Sequence, residues 1–131
     1  MRSLKKEVAM NRILVVDDEQ GIRDLIKEKL EKSKYKVIAV SSGQEALAIY
    51  KTKRPDLIML DIAMPGIDGY QTATELRKDP KIQDVPILFL TGKDIQEDSI
   101  VEHCKGIENC GYVPKIFTLE QLLDKIKEII G

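Results

Sequence analysis

Four short apolar runs punctuate the chain, and each leads directly into a residue with chemistry to offer. ILVV at 13–16 precedes Asp17 and Asp18, LIML at 57–60 precedes Asp61, ILFL at 87–90 precedes Thr91, and YVP at 112–114 precedes Lys115. Runs of this length, separated by segments of helical spacing, read as strands buried on both faces of a parallel sheet. KVIAV at 36–40 adds another strand. Between the strands, Ile22, Leu25, Ile26, Lys29 and Leu30 recur at helical spacing, the Lys29 stem lying along the apolar stripe. Ser42 with Glu45 predicts a capping box for a helix carrying Ala46, Leu47 and Tyr50, which must end before Pro55. A third helix runs from about Gly69 toward Lys78 and stops near Pro80. The fourth, Asp94 to Cys104, is polar, with Ile95, Ile100 and Val101 as its only apolar face. Thr118 with Gln121 opens a last helix whose stripe is Leu119, Leu122, Leu123, Ile126, Ile129 and Ile130.

Alternating strands and helices with right-handed crossovers build a doubly wound α/β sheet of five parallel strands and five helices. In such a sheet every strand ends on the same edge, so three carboxylates, a hydroxyl and an ammonium converge on the crevice where open α/β sheets hold ligands. Carboxylates crowded together repel and call for a cation. Oxygen-only donors, with no Cys or His beside them, favour a hard divalent ion, Mg²⁺ above all.

Composition narrows the classes. At 131 residues the chain is the size of one domain, with residues 1–10 as a charged N-terminal extension and 11–131 as the folded unit. A formal charge of −1 argues against direct nucleic-acid binding. The N-terminus has no apolar signal-peptide core and no run approaches a membrane span, so a cytoplasmic protein without membrane insertion is expected. Cys104 and Cys110 match no zinc or CxxC spacing and read as reduced thiols, with a disulfide or redox role as the alternative. His103 falls in the polar fourth helix and reads as solvent-facing.

RILVVDDE at 12–19, DLIMLDIAMPGIDGY at 56–70, ILFLTG at 87–92 and GYVPKIF at 111–117 together resemble the receiver domain of bacterial two-component response regulators, of the stand-alone chemotaxis or sporulation-phosphorelay type. The resemblance covers nearly the whole chain from Asn11 and implies a flavodoxin-like fold of strand order 2-1-3-4-5. It implies Asp61 as phosphoacceptor, Asp18 as a direct Mg²⁺ ligand, Asp17 as a ligand through water, and the Ala63 backbone carbonyl as a further ligand. Thr91 would be the switch hydroxyl, Tyr112 the switch aromatic, and Lys115 the lysine that reaches the phosphoryl group. The partners implied are a histidine kinase or phosphotransfer protein upstream and an effector protein downstream, the chain being a monomer or a weak phosphorylation-dependent dimer. The expected role is a switched binding module, not an enzyme with a separate substrate.

Each residue has a plainer reading when taken alone. Asp61 could cap the turn before Met64 and Pro65, Asp17 and Asp18 could favour a helix N-terminus as Glu19 does, Thr91 could be a solvated strand end, and Lys115 a snorkelling surface lysine. Their common position after a strand is what joins them into a site. An aspartyl-phosphate phosphohydrolase of the haloacid dehalogenase type is a rival reading, but it needs an acid two residues after the nucleophile, where Ala63 stands. A scaffold that keeps the fold without phosphorylation is another. Two departures from the family stand out: Ile116 follows Lys115 where the family usually has Pro, which speaks for the scaffold, and the segment KGIENCG replaces a usual Gly-Ala turn on the surface that relays phosphorylation.

Overall fold

The computed structural model describes residues 11–92, 97–107, 109–114 and 118–130. Its strands are β1 (Arg12–Val16), β2 (Lys36–Val40), β3 (Leu57–Asp61), β4 (Ile87–Thr91) and β5 (Cys110–Pro114). They pair in parallel in the order β2-β1-β3-β4-β5, as the receiver resemblance implies. The helices are α1 (Gln20–Lys32), α2 (Gly43–Ile49), α3 (Gly69–Leu76), α4 (Glu97–Lys105) and α5 (Leu119–Ile130), with a 3₁₀ turn at Pro80–Ile82. The extension at 1–10, Lys93, Ile95, Lys115 and Ile116 lie outside the described residues.

Strand alternation explains why the runs are continuously apolar. Ile13, Val15, Leu57, Met59, Leu88 and Leu90 point to one face, where Ile26 and Leu30 of α1 and Leu122 and Ile126 of α5 meet them. Leu14, Val16, Ile58, Leu60, Ile87 and Phe89 point to the other, under Ala46 of α2, Ala73 and Leu76 of α3 and Ile100 of α4. With helices on both sides neither parity is spared burial, and every residue of β3 and β4 is buried. Each large side chain so enclosed contributes about 1.5–3 kcal/mol of transfer free energy. The central strands are therefore the most firmly held part of the molecule, and the site hangs from their ends.

Helix termini follow local chemistry, in places differently from expectation. Ser42 accepts a bond from the Glu45 backbone N–H at 3.1 Å, but the Glu45 carboxylate turns to Ser41, taking its N–H at 2.7 Å and its hydroxyl at 2.5 Å. The expected box is thus half formed, because Ser41 offers two donors where the Ser42 N–H offers one. These bonds hold the Glu45 carboxyl below its usual range. Thr118 and Gln121 form the full reciprocal box, and so do Asp68 and Gln71 at the start of α3. Leu25, placed on the α1 stripe from its spacing, is 48% exposed, since Ile22, Ile26 and Leu30 make the contact with the sheet. Strand β5 begins at Cys110, two residues earlier than the apolar run suggests.

Candidate functional site

Asp61 is the last residue of β3 and is 2% exposed; Asp17 follows the last residue of the neighbouring β1 and is fully buried. Val16 and Leu60 are register partners, so the two acids leave adjacent strands at the same level. Continued one step, the alternation gives Asp17 the parity of Val15 and Asp61 that of Met59, which places them on the same side of the sheet edge. A carboxylate oxygen from each of Asp17, Glu19 and Asp61 lies within 4.8 Å of the others. Asp18 is exposed and is not one of these three.

Local structure sets this arrangement. Asp17 accepts the Glu19 backbone N–H at 2.9 Å, closing a tight turn that swings Glu19 back toward the sheet edge as α1 begins. Glu19 is the N-cap residue of α1, yet its side chain makes no capping bond. Arg23, one turn into α1, donates to the Asp17 carbonyl at 2.8 Å and ties the helix to the same loop. Beyond Asp61 the chain turns through Gly66, whose φ of +80° suits glycine. It then enters α3 at Gly69, whose N–H donates to Ile62 O at 2.8 Å. A β-carbon at Gly69 would stand 2.3 Å from the Asp61 carbonyl oxygen, so only glycine lets α3 start this close to the strand end.

Thr91 ends β4 on the other side of β3 and is 7% exposed. Tyr112 is the register partner of Phe89, two residues before Thr91, and packs half-buried against the same core. Phe89 in turn meets the Tyr70 ring edge-on at 5.2 Å, and Tyr70 stacks flat on His103, centroids 3.5 Å apart and 5° from parallel. Burial pushes the Tyr70 phenol upward. His103 does face solvent, but its ring is engaged: it covers Tyr70, with Nδ1 2.8 Å from the Ser99 carbonyl oxygen. Ala63 is exposed in the loop after Asp61. Lys115, assigned to the phosphoryl group by resemblance, cannot be placed because it lies outside the described residues.

Two features escaped the sequence reading. Glu19 was explained by the helix N-terminus, and only the turn at Asp17 shows that its carboxylate joins the other acids. The row from Phe89 through Tyr70 to His103 joins three elements far apart in sequence, and no periodicity announces it.

Oxygen donors only, two of them on buried acids, fit a hard divalent cation such as Mg²⁺. An acidic crevice at the carboxyl ends of the strands, in a sheet of order 2-1-3-4-5, is what the receiver resemblance requires. The model of the response regulator receiver domain matches residues 13–127. The chain belongs to this family. It is 39% identical over 119 residues to the alkaline phosphatase synthesis transcriptional regulatory protein PhoP of Bacillus subtilis, a match covering 91% of this chain and 48% of that protein. The chain spans about half the length of the curated relatives it matches. Among solved structures it is similar to the Vibrio cholerae chemotaxis protein CheY4, with a TM-score of 0.86, 29% identity and coverage of 92% of this chain and 99% of that one. It is also similar to the receiver domain of the Pseudomonas aeruginosa sensor histidine kinase PA1611, which has magnesium coordinated in its active-site cleft, with a TM-score of 0.82 and 30% identity over 94% of this chain and 99% of that one. This receiver has no described helix long and apolar enough to cross a membrane.

Proposed function

We propose that this receiver accepts a phosphoryl group on Asp61 and thereby switches a protein-binding surface, acting as a phosphoacceptor and not as an enzyme on a separate substrate. The observation that carries the reading is the convergence of buried Asp61 and Asp17 with Glu19 at one sheet edge, flanked by Thr91. A carboxylate oxygen of Asp61 attacks the donor's phosphorus, the donor group leaves with its bonding electrons, and an acyl phosphate remains on Asp61. The donor is a histidine kinase or a phosphotransfer protein, and a downstream protein reads the result.

Asp17, Glu19 and Asp61 are the acids whose geometry would hold Mg²⁺, and the receiver resemblance adds Asp18 and the Ala63 carbonyl as further ligands. When bound, the ion supplies neutralisation of charge at the phosphoryl oxygens. The chain's own contribution is placement: β3 fixes Asp61 from beneath, Gly69 fixes the exit of the chain, and the Thr91 hydroxyl donates to a phosphoryl oxygen. Lys115 would add a positive charge opposite the acids.

The test is intact mass after incubation with a small acyl phosphate and Mg²⁺. Wild type should gain one phosphoryl group and Asp61→Asn none. Equal labelling of the variant would move the acceptor elsewhere. An unlabelled wild type would favour the scaffold reading that the Lys115-Ile116 departure suggests.

A further inference from the structure

Cys104, in the last turn of α4, and Cys110, at the start of β5, stand where these two elements meet at the surface. Both are free thiols of intermediate exposure, and both pack against the core beside Ile107 and Tyr112. They line one open groove of about 550 Å³ together with Val101, Lys105, Tyr112 and Lys125. The described backbone after Cys104 turns tightly. Gly106 N–H donates to His103 O at 3.2 Å, Ile107 N–H to Cys104 O at 3.1 Å, and Asn109 sits at a φ of 52° while its carbonyl accepts from Ile87 N–H of β4 at 2.8 Å. Both thiols line that one groove, and the Cys110 thiol, which donates to Gly111 O at 3.9 Å, is pushed far above its ordinary range by burial first and by the Cys104 thiol second.

We propose that Cys104 and Cys110 are a redox-active dithiol, converted by small-molecule disulfides into an intramolecular disulfide that staples α4 to β5. The Cys104 thiolate attacks one sulfur of the small disulfide, whose S–S bond breaks and releases one small thiolate, which takes up a proton. Cys110 then loses its proton to solvent and attacks the Cys104 sulfur of the mixed disulfide, releasing a second small thiol. In balance, two protein thiols and one small disulfide give one protein disulfide and two small thiols.

Cys104 is the first attacker because burial starves Cys110 of thiolate, which makes resolution the slow step. Slowness is not a thermodynamic penalty. A dithiol whose reduced form draws stability from a low-pKa thiolate resists oxidation; here the half-buried Cys110, its thiol pushed up, supplies no such thiolate. The short sulfur–sulfur bond would pin the last turn of α4 to the strand that carries Tyr112, on the face expected to relay the state of Asp61. Oxidation would thus be an input separate from phosphorylation. It does not depend on the reading of Asp61, so Asp61→Asn should oxidise like wild type.

The experiment incubates the full chain, native and urea-unfolded, in buffers of graded oxidised-to-reduced glutathione, then alkylates and reads intact mass and peptide linkage. The native chain should yield the Cys104–Cys110 disulfide at an equilibrium constant at least ~tenfold above the unfolded chain, since folding has already brought the thiols together. Cys110→Ser should stop at glutathione on Cys104. A native chain no more prone to the internal disulfide than the unfolded one would overturn the proposal, as would accumulation of only mixed disulfides or linked dimers in wild type.

Discussion

Around Asp61, single atoms decide what the phosphoryl group would meet. Ala63 presents an exposed methyl where an amide or acid could hold an attacking water, and among the described residues a β-carbon added at Gly92 would meet nothing within 4 Å. With no polar side chain at 63 to hold a water in line, the positioning contribution to hydrolysis of an Asp61 phosphate should be small. The phosphorylated form should be long-lived. Ala63→Asn should speed its decay by roughly tenfold, equivalent to about 1.4 kcal/mol of barrier, as followed by loss of the phosphoryl mass over time. Decay unchanged or slower in the variant would show that another group positions the water. The same scale shows what sequence can and cannot deliver. Asp17, Asp61 and Thr91 were legible because each directly follows a buried run or ends the strand it forms. Glu19 was not, because its approach to Asp61 depends on one turn bond, from its own N–H to the Asp17 carboxylate.

Elements add their own constraints at their ends. Helix α1 closes with Lys34 N–H donating to Glu31 O at 3.1 Å and Tyr35 N–H to Leu30 O at 3.1 Å, while buried Tyr35 and Leu30 share a core. This is a Schellman ending, whose left-handed position is filled here by Lys34 at a φ of 76°. A side chain there costs about 1–2 kcal/mol, partly offset by the greater freedom glycine has when unfolded. Lys34→Gly should therefore stabilise by about 0.5–1 kcal/mol, read as a higher urea midpoint at unchanged slope. No sequence signal marked this ending, because lysine is not the residue the geometry prefers.

Another contact joins elements across the surface below the sheet edge. The Tyr50 hydroxyl donates to Asp79 at 2.8 Å. The Lys81 backbone N–H, and then Tyr50, hold the Asp79 carboxyl below its usual range, while burial, and then Asp79, raise the Tyr50 phenol. A lowered carboxyl stabilises the fold above its unfolded value and loses that contribution as pH falls through the folded one. The raised phenol works in the other direction: its contribution is complete below the usual tyrosine range and is lost as pH rises through the folded value. Wild type should accordingly exceed Tyr50→Phe in stability at neutral pH, and the gap should narrow toward both extremes in urea titrations across pH. A gap independent of pH would mean that the hydroxyl acts through packing alone.

For the molecule as a whole, the pattern of burial foretold the architecture more fully than the switch. Two-sided apolar runs dictate a covered parallel sheet, and that sheet dictates a common edge for Asp17, Asp61 and Thr91. Nothing in the spacing of α4 foretold that His103 would cover Tyr70, or that Tyr70 would lean on Phe89, because these contacts depend on how a polar helix settles on the finished sheet. That region is where a signal would travel. Thr91 and Tyr112 share the face of β4 and β5 that looks toward α4, and Tyr112 is half-buried there, with packing neighbours on the core side and an open groove on the other. A hydroxyl bond from Thr91 to a charged phosphoryl oxygen contributes about 1.5–3 kcal/mol, whereas full conversion of a two-state element from 1:99 to 99:1 needs about 5.5 kcal/mol. In the proposed switch Thr91 would thus tip the equilibrium without driving it alone, the remainder coming from other groups that meet the phosphoryl. Thr91→Ala should then still accept the phosphoryl group at Asp61, yet show a reduced, not abolished, inward movement of Tyr112. The measurement is solvent accessibility of the Tyr112 ring with and without a phosphoryl mimic, in wild type and variant. A ring equally exposed in both states of wild type would remove Tyr112 from the switch, and a complete response in Thr91→Ala would remove Thr91.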